Sequence, residues 1–565
     1  MKPEFPVESV EDQGKARSRR KAHSGQRGSD LFKLPASTLC ISIIPELQWT
    51  IFQLVHDAND NSLVKKTLLA LALTCKSFTG PALKLLWQDL SKFAPLIRCL
   101  PQSLWKQVGR KLEFQRVMTV DDWSIFCKYN HHVRSLIIND DDPRIGDETW
   151  RALSYPPFSL PLLPNLMSLT WSNYSILTSL CIPLFVSPTI TKLNLSPCTF
   201  GPVEQSILSC ISMLCPLVSH FHFHFCSSSE SEHPSTALQN WSHLTSVTTE
   251  TVSEAAILHL SKLPSLRFLQ FKLPSTPISV DTQKKQRHVF CVLEELVVRC
   301  RSVVALDAFL ERFFIAPKSI SLQITSIRDS ARALPALISR LPNGCAHGSL
   351  ECMQLSITEL SASHTSIRTA VLRPLFAFRN LRKLDFAAYD YGLRWDDAVL
   401  LQMAKAWPLL QQHSSRGVTP GAFVSLLQHC PCLVSVAVIV NWSTIDGHAI
   451  SPDAPYGGLS HKALSKAFFG SPRIHHPERI AAFISAIAPN LASIITWTNI
   501  DSDKYSTRWK CVLREQERRM VLSGGAGADG KQAHDTENRD AVIGGGDKGD
   551  DGDFFESGYT SDESS

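Results

Sequence analysis

No apolar run in this 565-residue chain reaches the ~18 to 20 residues that cross a bilayer, so no spanning helix is expected. The opening residues, MKPEFPVESVEDQGKARSRRKAHSG, lack the apolar stretch of a secretion signal. The expected location is therefore a reducing one, cytoplasmic or nuclear, with the 16 cysteines held as thiols. None of them forms the paired CxxC grouping of a zinc site. The nearest approach, Cys430-Pro431-Cys432, has single-residue spacing across a proline, which fits no zinc knuckle, and no metal or other cofactor is expected. A surplus of charge is missing too. Lys and Arg number 57 against 52 Asp and Glu, and a net charge of +5 is too small for so long a chain to hold nucleic acid by bulk electrostatics.

Catalytic motifs are equally scarce. GxSxG, GxxxxGK[ST] and HExxH do not occur, and no GxGxxG stands between a strand and a helix. The late glycine runs GGAGADG and IGGGDKGDDG have no strand ahead of them to aim them at a phosphate, so a flexible linker accounts for them better. His131-His132 and His475-His476 have no partner at metal spacing and read as surface pairs. Asp396-Asp397 fits the positive end of a helix. The chain is accordingly not expected to be an enzyme.

What is present divides the chain into four parts. Residues 1–35 form a polar tail with the basic cluster Lys15, Arg17, Arg19, Arg20 and Lys21, read as a solvated tail with a nuclear import signal as the alternative. Residues 521–565 are rich in Gly and Asp and poor in branched apolar side chains. Neither end buries enough apolar surface to offset its ordering entropy, so both are expected to be disordered. The acidic end contains ESGYTS at 556–561, which resembles the DSGxxS phosphodegron pattern with Glu in place of Asp. Residues 40–92 and 93–520 are expected to fold.

The longer folded part repeats. An apolar residue, two others, an apolar residue, one other and a third apolar residue recur at Leu166, Leu169, Trp171; at Ile190, Leu193, Leu195; and at Leu266, Leu269, Phe271. The pattern returns at Leu293, Leu296, Val298; at Leu350, Met353, Leu355; at Leu381, Leu384, Phe386; and at Leu433, Val436, Val438. Helical spacing fills the intervals, as in DDAVLLQMAKAW and GAFVSLLQHCP. A strand and a helix alternating every 22 to 31 residues or so is the signature of a leucine-rich-repeat solenoid, here irregular, and sets the fold class as α/β.

The stretch SHFHFHFC at 219–226 falls into this frame. Val218, Phe221 and Phe223 occupy the three apolar positions, and Cys226, like Cys198, takes the later Asn-or-Cys position as a small buried hydrophobe. Neighbours on a strand point to opposite faces, so His220, His222 and His224 are expected on the concave surface. Histidines two apart lie ~7 Å apart, close enough for a pair to grip one ion, but three in a row converge poorly. A surface that contacts a target is the better account.

Residues 40–92 have a different period. Val64, Leu68, Leu71, Cys75 and Phe78 step by four and three, predicting one helical stripe with Asn61 or Ser62 as its cap. A helix before it opens at Pro45 and carries Leu47, Ile51, Leu54 and Val55. A third is predicted to start at Pro81 and carry Leu83, Leu86, Trp87 and Leu90. Within this three-helix domain Ile44-Pro45-Glu46-Leu47, Ile51-Phe52, the run Leu71-Ala72-Leu73-Thr74-Cys75-Lys76-Ser77-Phe78 and Trp87 resemble the F-box family. The opening Ile44 stands where that family has Leu, and VHDANDNSLVKKT is longer than its usual inter-helix link. The layout as a whole, with PNL and HCPCL strand openings, is similar to fungal F-box proteins with irregular leucine-rich repeats.

The resemblance implies the substrate-recognition subunit of a Skp–cullin–F-box ubiquitin ligase, with a Skp-type adaptor and a cullin scaffold as partners, an unknown target protein, and no nucleic acid or membrane. It also implies Pro45, Glu46, Leu47, Ile51, Phe52, Leu54, Leu73, Cys75 and Trp87 as adaptor contacts, although Phe78 and Trp87 read better as core of the small domain. The competing reading is an interaction scaffold whose N-terminal helices cap the repeats. Exposure separates the two: a cap buries Pro45, Leu47 and Leu54, whereas an adaptor site leaves them in solvent. Residues 477–497 read as one more helix and strand, and KYSTRWKCVLREQERRMVL as a basic closing helix.

Overall fold

The computed structural model describes residues 45–524, apart from 140–143, 173–178, 198–200, 226–233, 275–286, 291, 326–329, 358–368, 389–396, 448–457, 471–473 and 497–503. The tail readings at 1–35 and past 524, the ESGYTS motif, and Cys198 and Cys226 lie outside the described residues. The protein is mixed α/β, with a large parallel sheet, and divides into two compact units, Met1–Arg416 and Gly417–Ser565.

The first unit opens with three helices, α1 (Pro45–His56), α2 (Asn61–Thr74) and α3 (Lys76–Gln88). Strands follow in chain order: β1 (Asp89–Leu90), β2 (Trp105–Val108), β3 (Lys111–Phe114), β4 (Ser135–Asn139), β5 (Arg144–Ile145), β6 (Ser168–Ser172), β7 (Lys192–Leu195), β8 (His220–Phe223), β9 (Ser246–Thr251) and β10 (Phe268–Lys272). Next come β11 (His288–Phe290), β12 (Glu295–Cys300), β13 (Phe313–Ile315), β14 (Ser319–Ile324), β15 (Cys352–Ile357), β16 (Lys383–Ala388) and β17 (Gln412–Val418). The main sheet takes them in the order β1-β4-β6-β7-β8-β9-β10-β12-β14-β15-β16-β17. Two small sheets stand apart, β2-β3-β5 and β11-β13. In the second unit β18 (Ser435–Val440), β19 (Lys466–Gly470) and β20 (Ser493–Thr496) are parallel neighbours in that order.

Each strand predicted from the apolar pattern is present, and its apolar residues are buried. Strand register then lines them up across the sheet. Leu90, Leu136, Leu169, Leu193, Phe221, Val247, Leu269, Leu296, Ile320, Met353 and Leu384 form one unbroken apolar row. The row works because side chains alternate across the pleat, so one face of every strand can be buried by the helix that follows it. Those helices start where their sequences supply caps: Ser253 accepts from Ala256 N, Ser302 from Ala305 N and Thr419 from Ala422 N.

The PNL and RNL strand openings carry a second device. Asn165 Nδ2 donates to His131 O at 2.8 Å, Asn380 Nδ2 to Gly348 O at 2.8 Å, and Asn490 Nδ2 to Lys462 O at 3.0 Å. Each bond reaches back about one repeat, so this asparagine ties a turn to the preceding one.

One charged group sits deep in the first unit. Asp122 is buried at the start of the helix Val120–Asn130, where it accepts from Arg116 at 2.6 and 3.0 Å and from Thr119 N at 2.8 Å. The guanidinium first, and then the Thr119 donors, hold its carboxyl well below the usual carboxylate range. A depressed folded pKa gives stability that is complete above the unfolded value of about 4 and is lost as the pH falls below it. Asp122→Ala is therefore expected to lower the thermal midpoint at neutral pH, with the gap from the native chain closing below about pH 4. Melting curves across that range check it.

Candidate interaction surfaces

The three helices close on a small core of Phe52, Val64, Leu68, Ala72, Ala82 and Leu85, with Trp49, Leu71, Phe78 and Leu86 packed at its margin. Phe52 meets Phe78 edge to face at 5.3 Å between ring centres. Three local expectations change. The cap of α2 is Asp60, which accepts from Ser62 N and Leu63 N, and not Asn61 or Ser62. The stripe from Val64 to Phe78 does not lie on one helix. Cys75 is extended, with φ −156° and ψ 161°, and separates α2 from α3.

The third correction concerns Pro81, which lies inside α3 and does not start it. Proline has no N–H, so the carbonyl of Ser77, four residues back, loses its helical donor. Gln48 supplies the replacement: its Nε2 donates to Ser77 O at 2.8 Å, and its side chain is buried for that purpose. Thr79 Oγ1 similarly donates to Ala72 O in the last turn of α2 at 2.8 Å.

The residues read as adaptor contacts separate by exposure. Pro45, Glu46, Leu47, Ile51 and Leu54 of α1 are exposed, as are Leu73 and Cys75. Leu47 is 48% exposed, Leu54 69% and Leu73 79%, high values for leucines within one small domain. Leu47, Ile51 and Leu54 follow i, i+4, i+7 spacing and so share one stripe. Phe52 is 1% exposed and belongs to the core, which corrects its reading as a surface contact. Trp87 is half-buried against Tyr129, 4.8 Å between ring centres, so it joins α3 to the helix Val120–Asn130. Leu63 and Leu69 are exposed as well and were not anticipated. The four-residue step from Leu69 to Leu73 was the available signal.

Cys75 has a distinct chemical character. Its Sγ lies 3.1 Å from Ser77 Oγ; this hydrogen bond, and the N–H groups of Phe78 and Ser77, lower the thiol's pKa. Cys430 is the opposite case. Burial pushes it up to about 12, while Cys432 is exposed.

A second surface lies on the sheet. In β8 Phe221 and Phe223 are buried, with Phe221 4.8 Å from the Trp241 ring, and His220 and His222 are exposed on the other face. His224 follows the strand and is exposed too. Register sets Lys192 beside His220 and Asn194 beside His222. His224 Nδ1 lies 3.0 Å from Glu250 Oε1, and His220 Nδ1 lies 3.0 Å from Ser219 Oγ. Partial burial, and then Lys192, lower the pKa of His220. Partial burial, then His224 and Arg299, lower that of His222, with Glu250 opposing. Among the described residues no group of three or more His, Cys, Asp or Glu side chains is placed to hold a metal ion. Nor is any described helix long and apolar enough to cross a membrane.

No protein-family model matches this chain. No curated protein matches it either.

The buried and exposed apolar residues of α1 should respond differently to truncation. Phe52→Ala is expected to destabilise the helical domain by about 3 to 5 kcal/mol, whereas Leu54→Ala should change it by less than about 0.5 kcal/mol. Denaturant titration of both variants measures the contrast.

Proposed function

We propose that this chain is the substrate-recognition subunit of a Skp–cullin–F-box type ubiquitin ligase. On this reading α1–α3 are an F-box that docks on a Skp-type adaptor, the cullin scaffold joins through that adaptor, and the strand–helix run is an irregular leucine-rich-repeat solenoid that holds the target. The observation that carries it is the exposure of Leu47, Ile51 and Leu54, with Leu73 beyond them. Exposed apolar side chains of this kind on one small domain support a protein-binding role.

The capping alternative accounts for α3 alone. Its end hands the chain straight to β1, Gln88 O accepts from Arg134 N at 2.8 Å, and Trp87 covers Tyr129. The stripe on α1 has no role in a cap. As a receptor the chain would carry out no bond chemistry. It would raise the effective concentration of a target lysine near a transferable ubiquitin.

Co-expression with a Skp-type adaptor tests the reading. The native chain is expected to copurify with the adaptor. The Pro45→Ala, Leu47→Ala, Leu54→Ala variant, folded by thermal melting, is expected to lose it. Two leucine anchors at about 1.5 kcal/mol or more each would weaken binding by roughly a hundredfold or more. A well-folded native chain that captures no adaptor leaves an interaction scaffold with a helical cap.

A further inference from the structure

The outward face of β7, β8, β9 and β12 gathers basic groups around the histidines. Lys192 stands in register with His220, and Arg299, on β12, influences His222 electrostatically. Arg299 Nε donates to Gln323 Oε1 at 3.2 Å, which holds its side chain along the face. The remaining charged groups on the strands packed here are Glu250 on β9, Lys272 on β10 and Glu295 on β12. Three fixed cations, Lys192, Lys272 and Arg299, thus meet two carboxylates, Glu250 and Glu295, for a net charge of +1 with neutral imidazoles. Protonation of His220 and His222 adds two, for +3. Histidine is the side chain whose ordinary titration range lies near neutrality.

A second observation marks the same place as unfinished. Asn194, beside His222 in register, has a buried Oδ1 with no hydrogen-bond partner among the described residues. Buried polar atoms are ordinarily satisfied, so this one is an exception.

We propose that this face docks an acidic segment of a partner protein, held by Lys192 and Arg299 and bound more tightly once His220 and His222 are protonated. The inference rests on the reading of the sheet face as the target-holding surface, and it gives that target a chemical class. Bringing in carboxylates also stabilises the imidazolium forms, so binding and protonation reinforce each other. The lowered pKa of His220 and His222 places the tightening on the acid side of neutrality. Glu250 holds His224 in place at 3.0 Å and sets the limit of the basic patch.

Fluorescence anisotropy on the full chain tests it, with a rhodamine-labelled twelve-residue Asp-Ser repeat peptide as probe and a Lys-Ser repeat peptide as control. Affinity for the acidic peptide is expected to rise about tenfold from pH 7.5 to pH 5.5. The His220→Gln, His222→Gln variant should lose that rise, and Lys192→Ala with Arg299→Ala should weaken binding at both pH values. Thermal melting confirms that the variants are folded. The proposal is overturned by no binding at pH 5.5, by equal binding of the Lys-Ser peptide, or by an undiminished pH effect in the histidine variant. The adaptor does not enter this assay. Peptide binding without adaptor capture would overturn the ligase reading alone, and adaptor capture without peptide binding would overturn this proposal alone.

Discussion

The first unit depends on one constraint: a strand with one apolar face and a helix with one apolar stripe cannot bury both by themselves, so each repeat needs the next. The row from Leu90 to Leu384 is the physical form of that requirement. Because side chains alternate with a period of two, a one-residue slip of β8 would carry Phe221 and Phe223 into solvent and bring His220 and His222 inside. Burying unpartnered imidazoles while exposing two phenyl rings costs far more than any gain in backbone pairing. Register is therefore fixed by the apolar pattern, and the polar face follows from it without further specification. The row of histidines is presented to solvent because the phenylalanines must not be.

The same logic decides what could be read from the chain beforehand. The strand positions were legible because they obey one rule many times over. The N-terminal helices were legible in number but not in extent. The four-and-three spacing from Val64 to Phe78 continues across the break at Cys75, so periodicity alone merges α2 with the start of α3. Pro81 resembled a helix start because proline usually is one, and only Gln48, 29 residues upstream of Ser77, makes an internal proline tolerable. Asp60-Asn61-Ser62 offers three capping side chains in succession, and sequence does not rank them. The pairing of His224 with Glu250 was illegible for a different reason. It depends on how many residues the connection between β8 and β9 uses, which no local pattern encodes.

Exposure does the remaining work in the functional account. Composition alone does not distinguish Phe52 from Leu54, since both are apolar residues in the same amphipathic segment. Their positions on the helix surface do: Phe52 faces Phe78 and the core, and Leu54 shares the outer stripe with Leu47 and Ile51. The helical domain and the sheet face thus carry surfaces of opposite kinds, one apolar and the other polar and rich in histidine. On the proposed receptor reading the first surface meets the Skp-type adaptor and the second meets the target.

The Cys75 thiol gives the most direct view of whether the apolar surface is engaged. It is exposed between α2 and α3, and its lowered pKa favours alkylation, while Cys210, Cys432 and Cys511 are exposed elsewhere and act as internal references. Iodoacetamide labelling rates, read by mass spectrometry with and without a Skp-type adaptor, measure the engagement. The account predicts selective slowing at Cys75 with the three references unchanged. An unchanged rate at Cys75, or equal slowing at all four, would contradict it.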